Sequence, residues 1–224
     1  MGCGDFGLSR RRLIRLGSIA ASGLAFAGVP VLLVAGQDAV RRETADLITG
    51  PFYPRVKPTD RDPDLTLVRG HHRRAAGQVV QLTGRVTNLK GEPLRRVQIE
   101  IWQANTNGRY AHPSDPNTHL PLDPDFQGYA LLRTDEDGRY ALTTIKPGPY
   151  PTARGDMRAP HIHVEIQGHT DRKVTQLFFP NEPLNDQDRH LNSVRRPDTL
   201  IANVSASSAS PVLRAQWDIV VTTG

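Results

Sequence analysis

From Gln78 to Val86 the chain alternates: Val80, Leu82 and Val86 fall on one side of an extended backbone, Gln81, Thr83 and Arg85 on the other. A two-residue period of this kind marks a strand with one covered face. After a turn at Leu89-Lys90-Gly91-Glu92-Pro93, Val97 to Trp102 alternates as strictly. Tyr129 to Arg133 and Arg139 to Thr144 flank Asp135-Glu136-Asp137-Gly138, which predicts a hairpin. His161 to Ile166, Val174 to Phe179 and Leu213 to Val221 complete the set, the last alternating through Trp217, Ile219 and Val221. Gln103 to Gly128 has the Asn, Asp, Pro and Gly density of an irregular loop, and Asn181 to Asp198 is charged and leaves room for a helical connection. No long helical period occurs. Short strands separated by frequent turns predict a mainly β chain folded as a β-sandwich, with an immunoglobulin- or transthyretin-like core and long irregular loops. Residues 37–77, polar and proline-broken around one apolar knot from Leu47 to Pro54, are expected to form an N-terminal arm, and 78–224 the sandwich domain.

Composition changes this picture little, but charge changes the list of partners. The 224 residues carry a formal net charge of +5, with 19 Gly and 18 Pro in keeping with a turn-rich β chain. Residues 1–36 hold Arg10, Arg11, Arg12 and Arg15 against Asp5, and the remainder has no basic stripe interleaved with aromatics. That pattern speaks against nucleic-acid binding. Ser9-Arg10-Arg11-Arg12-Leu13-Ile14-Arg15 before the apolar run from Leu16 to Ala35 resembles a twin-arginine export signal. The expected location is periplasmic or secreted, with an uncleaved N-terminal anchor as the alternative, and the membrane is touched only through this segment. Cys3, the one cysteine, precedes the apolar run, so the exported part has neither a disulfide nor a thiolate with which to bind metal.

Candidate chemistry centres on Lys146 to Val164. If His161 to Ile166 is a strand, His161 and His163 project to one face and Ile162, Val164 and Ile166 to the other. Two imidazoles make an incomplete metal site, and the other histidines (His71, His72, His112, His119, His169, His190) sit in polar or loop contexts that predict solvation. The loops offer tyrosines instead: Tyr110, just past the strand that ends at Trp102, and Tyr150, on the proline-braced turn Pro147-Gly148-Pro149-Tyr150-Pro151. Phenolate is a hard anionic donor that suits a hard, highly charged ion, and a phenol of pKa about 10 ionises at neutral pH only against a strong Lewis acid such as Fe(III). Two phenolates and a hydroxide would also neutralise that ion's charge in a low-dielectric pocket.

The runs I-E-I-W-Q-A-N-T-N-G-R-Y, T-D-E-D-G-R-Y, T-I-K-P-G-P-Y-P, R-A-P-H-I-H-V and T-Q-L-F-F-P, in this order, resemble the intradiol ring-cleavage dioxygenases, and among them most the protocatechuate 3,4-dioxygenase beta-chain branch. The similarity spans about Thr49 to Phe179, with a weaker tail to Val221. It implies one non-haem Fe(III) per chain held by Tyr110, Tyr150, His161 and His163, with Tyr150 the ligand that leaves as substrate binds. It further implies that Arg158 stabilises negative charge on the substrate ring, that Gln176 borders the dioxygen pocket, and that Thr49, Gly50, Pro51, Phe52 and Tyr53 form an arm lining its mouth, with Thr49, Gly50, Pro51 and Tyr53 the residues expected to bind substrate. The implied reaction joins a catechol and O2 to give a cis,cis-muconate-type diacid. Pairing with a related chain, or a homo-oligomer, is open. The chain departs from the common W-R-P-A-H-I-H-F at Met157, and has Thr152 where an aromatic often follows P-Y-P; both bear on which catechol fits.

Two other readings compete. The H-x-H pair with Glu165 or Asp156 would make an Fe(II) facial triad. The segments around Gly84, Gly91-Glu92-Pro93 and Asp137-Gly138-Arg139-Tyr140 also match transthyretin-like binding modules that need no metal, although such modules have no use for Tyr110, Arg158 and the H-x-H pair together.

Overall fold

The computed structural model describes residues 41–168, 172–207 and 210–222. The export-signal segment and His169 lie outside the described residues. Two sheets share one apolar interior. The first is built on β1 (Val79–Asn88), which pairs antiparallel with β4 (Arg139–Ile145) along one edge. Along its other edge β1 runs parallel first to β10 (Ser210–Gln216), then to β11 (Ile219–Val221), and β9 (Asn203–Ser207) extends the sheet beyond β10. The second sheet has the order β3 (Tyr129–Arg133), β2 (Gln98–Trp102), β7 (His161–Gln167), β8 (Arg172–Phe178), antiparallel throughout. A short ribbon, β5 (Tyr150–Pro151) with β6 (Met157–Arg158), stands apart from both.

The predicted sandwich is what forms, because the alternation read from the sequence meets itself across the interface. Val80, Leu82 and Val86 of β1 and Leu213, Ala215 and Ile219 of the C-terminal strands face Ile99 and Ile101 of β2, Ile162, Val164 and Ile166 of β7 and Leu177 of β8 in a single cluster. Residues 41–77 pack along the edges. Leu47 N–H donates to Val174 O and Thr175 Oγ1–H to Ala45 O beside β8, while Leu65 N–H donates to Thr143 O beside β4 and places its side chain in the core.

Two expectations are corrected, and one strand is new. The strand expected from Leu213 to Val221 is two strands, broken at Trp217-Asp218. There the Trp217 carbonyl turns in over Gly84, where an added Cβ would lie 1.9 Å from it, and accepts the Tyr140 hydroxyl at 2.7 Å. The Asn181–Asp198 connection holds no α-helix; it carries single 3-10 turns at Asn185–Gln187, Leu191–Ser193 and Pro197–Leu200. The Ser-rich strand β9 was not expected at all, since it has no apolar alternation and exists through its pairing with β10.

Candidate metal centre

β7 is buried on both faces from His161 to Ile166. Ile162, Val164 and Ile166 enter the sandwich interior, and His161 and His163 project to the opposite side, their Nε2 atoms 3.2 Å apart. A roof of loops covers that side. His163 stacks on Trp102, its partner in the β2–β7 register, at 4.9 Å between centroids and 10° between planes. His161 Nδ1–H donates to Ala159 O at 2.7 Å. That bond fixes its tautomer and leaves Nε2 with a free lone pair.

Two loops bring the phenols. Asn105 starts the first: its Oδ1 accepts the backbone N–H groups of Asn107 and Arg109, making a tight turn. Gly108, at φ +78°, sits where any Cβ would come 2.2 Å from Pro149 O, so the turn nests directly on the proline-braced loop that carries Tyr150. Asp115, fully buried beneath it, accepts the Tyr110 N–H at 2.7 Å and ion-pairs with Arg109. Tyr110 and Tyr150 then meet edge to face with centroids 5.4 Å apart, and Phe52 of the arm packs on the Tyr110 ring at 4.5 Å. The Tyr150 hydroxyl lies 3.2 Å from His161 Nε2. The Tyr110 hydroxyl is buried with no hydrogen-bond partner among the described residues, as is His163 Nδ1.

Burial sets the protonation states. It pushes both phenols above the usual tyrosine range; the neighbouring Tyr150 adds to the effect at Tyr110, whereas the Arg158 charge opposes it at Tyr150. It also holds both imidazoles well below the usual histidine range, helped by the Arg158 charge at His161 and by His161 and Arg158 at His163. The result is four neutral donors around one point, with two nitrogen atoms in contact and one hydroxyl orphaned. An orphaned buried hydroxyl costs about 1–3 kcal/mol. A cation accepting all four lone pairs removes that cost, so the residues present fit a metal with mixed nitrogen and oxygen ligation.

A cavity of about 720 Å3 opens onto this point. Tyr150, His163 and Arg158 line it, whereas Tyr110 and His161 lie behind. Of the arm, Gly50, Pro51 and Phe52 line it, whereas Thr49 and Tyr53 do not. Tyr53 instead bonds Glu100 over the outer face of the second sheet. Thr152 and Met157, the two departures from the family pattern, both line the cavity. Gln176 is fully buried off the lining, where its Oε1 accepts from Arg158 at 2.7 Å and its Nε2–H donates to Ile48 O at 3.0 Å. Neither carboxylate of the facial-triad reading joins the histidines: Glu165 is held by Arg172 and Asp156 by Arg189.

Sequence reasoning missed the 181–198 connection. Asp188 is fully buried against Arg158, and His190, expected to be solvated, is half-buried and lines the cavity, its pKa lowered by burial and by Arg158. Only the polar run Asn185-Asp186-Gln187-Asp188 hints at this, since a charged residue without a period resembles any surface loop. His112, also expected in solvent, is buried against Phe52. His71, His72 and His119 are exposed.

The fold is a β-sandwich with four donors gathered on one strand and two loops, and the comparisons supply the class. The dioxygenase family model matches residues 48–223. The protocatechuate 3,4-dioxygenase beta chain of Burkholderia cepacia is 42% identical over 127 residues, covering 55% of this chain and 54% of that one. The protocatechuate 3,4-dioxygenase alpha chain of Pseudomonas putida is 32% identical over 135 residues, 57% of this chain and 64% of that one. The match thus spans 54% and 64% of the length of these two relatives. Among solved structures, 3-chlorocatechol 1,2-dioxygenase from Rhodococcus opacus 1CP superposes with a TM-score of 0.64 at 25% identity, over 80% of this chain and 72% of that one. The dioxygenase domain of a dioxygenase–carbohydrate-binding protein fusion from Streptomyces sp. SirexAA-E gives 0.61 at 28% identity, over 82% and 100%. The chain belongs to the dioxygenase family, in its intradiol ring-cleavage branch.

Proposed function

We propose that this chain is a ferric, non-haem intradiol dioxygenase that cleaves a catechol-type ring between its hydroxyl-bearing carbons with O2, giving a cis,cis-muconate-type diacid. The convergence of Tyr110, Tyr150, His161 and His163 on one buried point carries the reading. Iron(III) held by these four side chains would supply Lewis acidity and a template for the diol. The residues around it divide the remaining work. As phenolates, Tyr110 and Tyr150 would cancel two of its charges in a buried site. Tyr150 lines the cavity and Tyr110 does not, which supports Tyr150 as the group that gives way to the diol and takes a hydroxyl proton on its Oη. Arg158, also on the lining, is placed to face negative charge developing on the ring. Gly50, Pro51 and Phe52 wall the cavity.

Matches to both alpha and beta chains of one enzyme support assembly with a second chain, related or identical. The Arg10-Arg11-Arg12 segment supports export by the twin-arginine route.

The test is a visible absorption spectrum of purified protein with iron quantified, before and after anaerobic addition of catechol. A red-brown phenolate-to-iron band that moves to longer wavelength is the expected result. A protein that stays colourless after Fe(III) reconstitution would overturn the reading.

A further inference from the structure

We propose that Asp188 is the positioning residue for Arg158, setting the guanidinium in the one orientation in which it can act on the substrate; this rests on the dioxygenase reading of the same site. An arginine side chain has many rotamers, and holding it still costs on the order of 2 kcal/mol of entropy unless neighbours fix it. Here two neighbours do. Asp188 Oδ2 accepts from Arg158 Nε at 2.9 Å, and Gln176 Oε1 accepts from Nη2 at 2.7 Å. The contacts are on different nitrogens, so the guanidinium plane cannot turn about the Cδ–Nε bond without breaking them. Nη1 has no partner among the described residues, and Arg158 lines the cavity.

Asp188 is itself immobilised. Its Oδ1 accepts the backbone N–H groups of His190 at 2.9 Å and Leu191 at 3.1 Å, and its Oδ2 also accepts that of Ala159 at 2.9 Å. It is fully buried and absent from the cavity lining, so it touches no reacting atom. The carboxylate therefore reaches the site through others: directly to Arg158, and through Ala159, whose carbonyl takes the His161 Nδ1–H. The 181–198 connection thus supplies a buried anion that fixes the charged group of the pocket.

A double-mutant cycle tests this, using the full iron-loaded chain with catechol turnover followed by O2 uptake. Asp188→Asn is expected to lower kcat about 10–100-fold, the scale of a misplaced catalytic group, with the visible band retained. In an Arg158→Met background the same change is expected to cost less than about twofold more, because the group it positions is gone. Equal losses in both backgrounds would show a merely structural role and overturn the proposal. Should Asp188→Asn not fold, Arg158→Lys decides: it keeps the charge but lacks the Nε–H that Asp188 holds, and wild-type kcat in it would refute the clamp. A wild type that binds iron but consumes no O2 with catechol, protocatechuate or hydroxyquinol would refute the dioxygenase reading and this inference together, whereas an active wild type with an additive cycle removes only the inference.

Discussion

The two sheets use the same alternation to different ends. In the first, Leu82, Leu213 and Ala215 face the interior, and Gln81, Thr83, Arg214 and Gln216 stand in water on the other side. In the second, β7 is covered on both sides: apolar side chains fill the interior face, and the opposite face turns His161, His163 and Glu165 under loops. Burial is favourable for the first kind of face and costly for the second, because polar atoms leave water without full replacement. A sheet with two covered faces therefore separates a stabilising side from a working side on one strand.

Substitutions should reveal this asymmetry. The largest effect is expected in the shared interior: Ile99→Ala, at a fully buried position of β2, should cost about 2–5 kcal/mol in denaturant unfolding. A loss under about 1 kcal/mol would mean that the interior relaxes around the cavity. On the working face the sign should depend on the metal. Tyr110→Phe removes an orphaned buried hydroxyl, so the iron-free protein should become more stable by about 1 kcal/mol. The same variant should gain less stability from iron than the wild type does, since it lacks one donor. Equal gains in both proteins would remove Tyr110 from the ligand set. The smallest effect belongs to the wet face. Gln81→Ala should stay within about 0.5 kcal/mol of wild type, and a larger loss would show that this face is covered.

The same contrast explains what was legible in the sequence. The strands β1 and β2 could be read from period alone, because each puts one clean apolar row into the interior. β7 was legible only through its H-x-H spacing: His-Ile-His-Val-Glu-Ile shows the period, but nothing in it says that the polar row is also buried. Tyr110 and Tyr150 were found from turn chemistry and family pattern, since an isolated loop tyrosine carries no period. Asp188 and His190 were not found, because their roles arise from a connection folding back over the site rather than from any local pattern. The break at Trp217 was hidden for a similar reason. It depends on Gly84 and Tyr140, which lie far away in sequence.

The parallel pairing of β1 has a consequence for the order in which the molecule can be completed. Val80 lies beside Leu213 and Val86 beside Ile219, each pair separated by some 130 residues of chain. No hairpin can make such a pair, and the loop closed on forming it is among the longest the domain allows. During synthesis β1 emerges early and can zip only to β4, leaving its other edge bare until Leu213 to Val221 arrives. For that interval the central strand of the sandwich is an open edge, available to any other extended chain nearby.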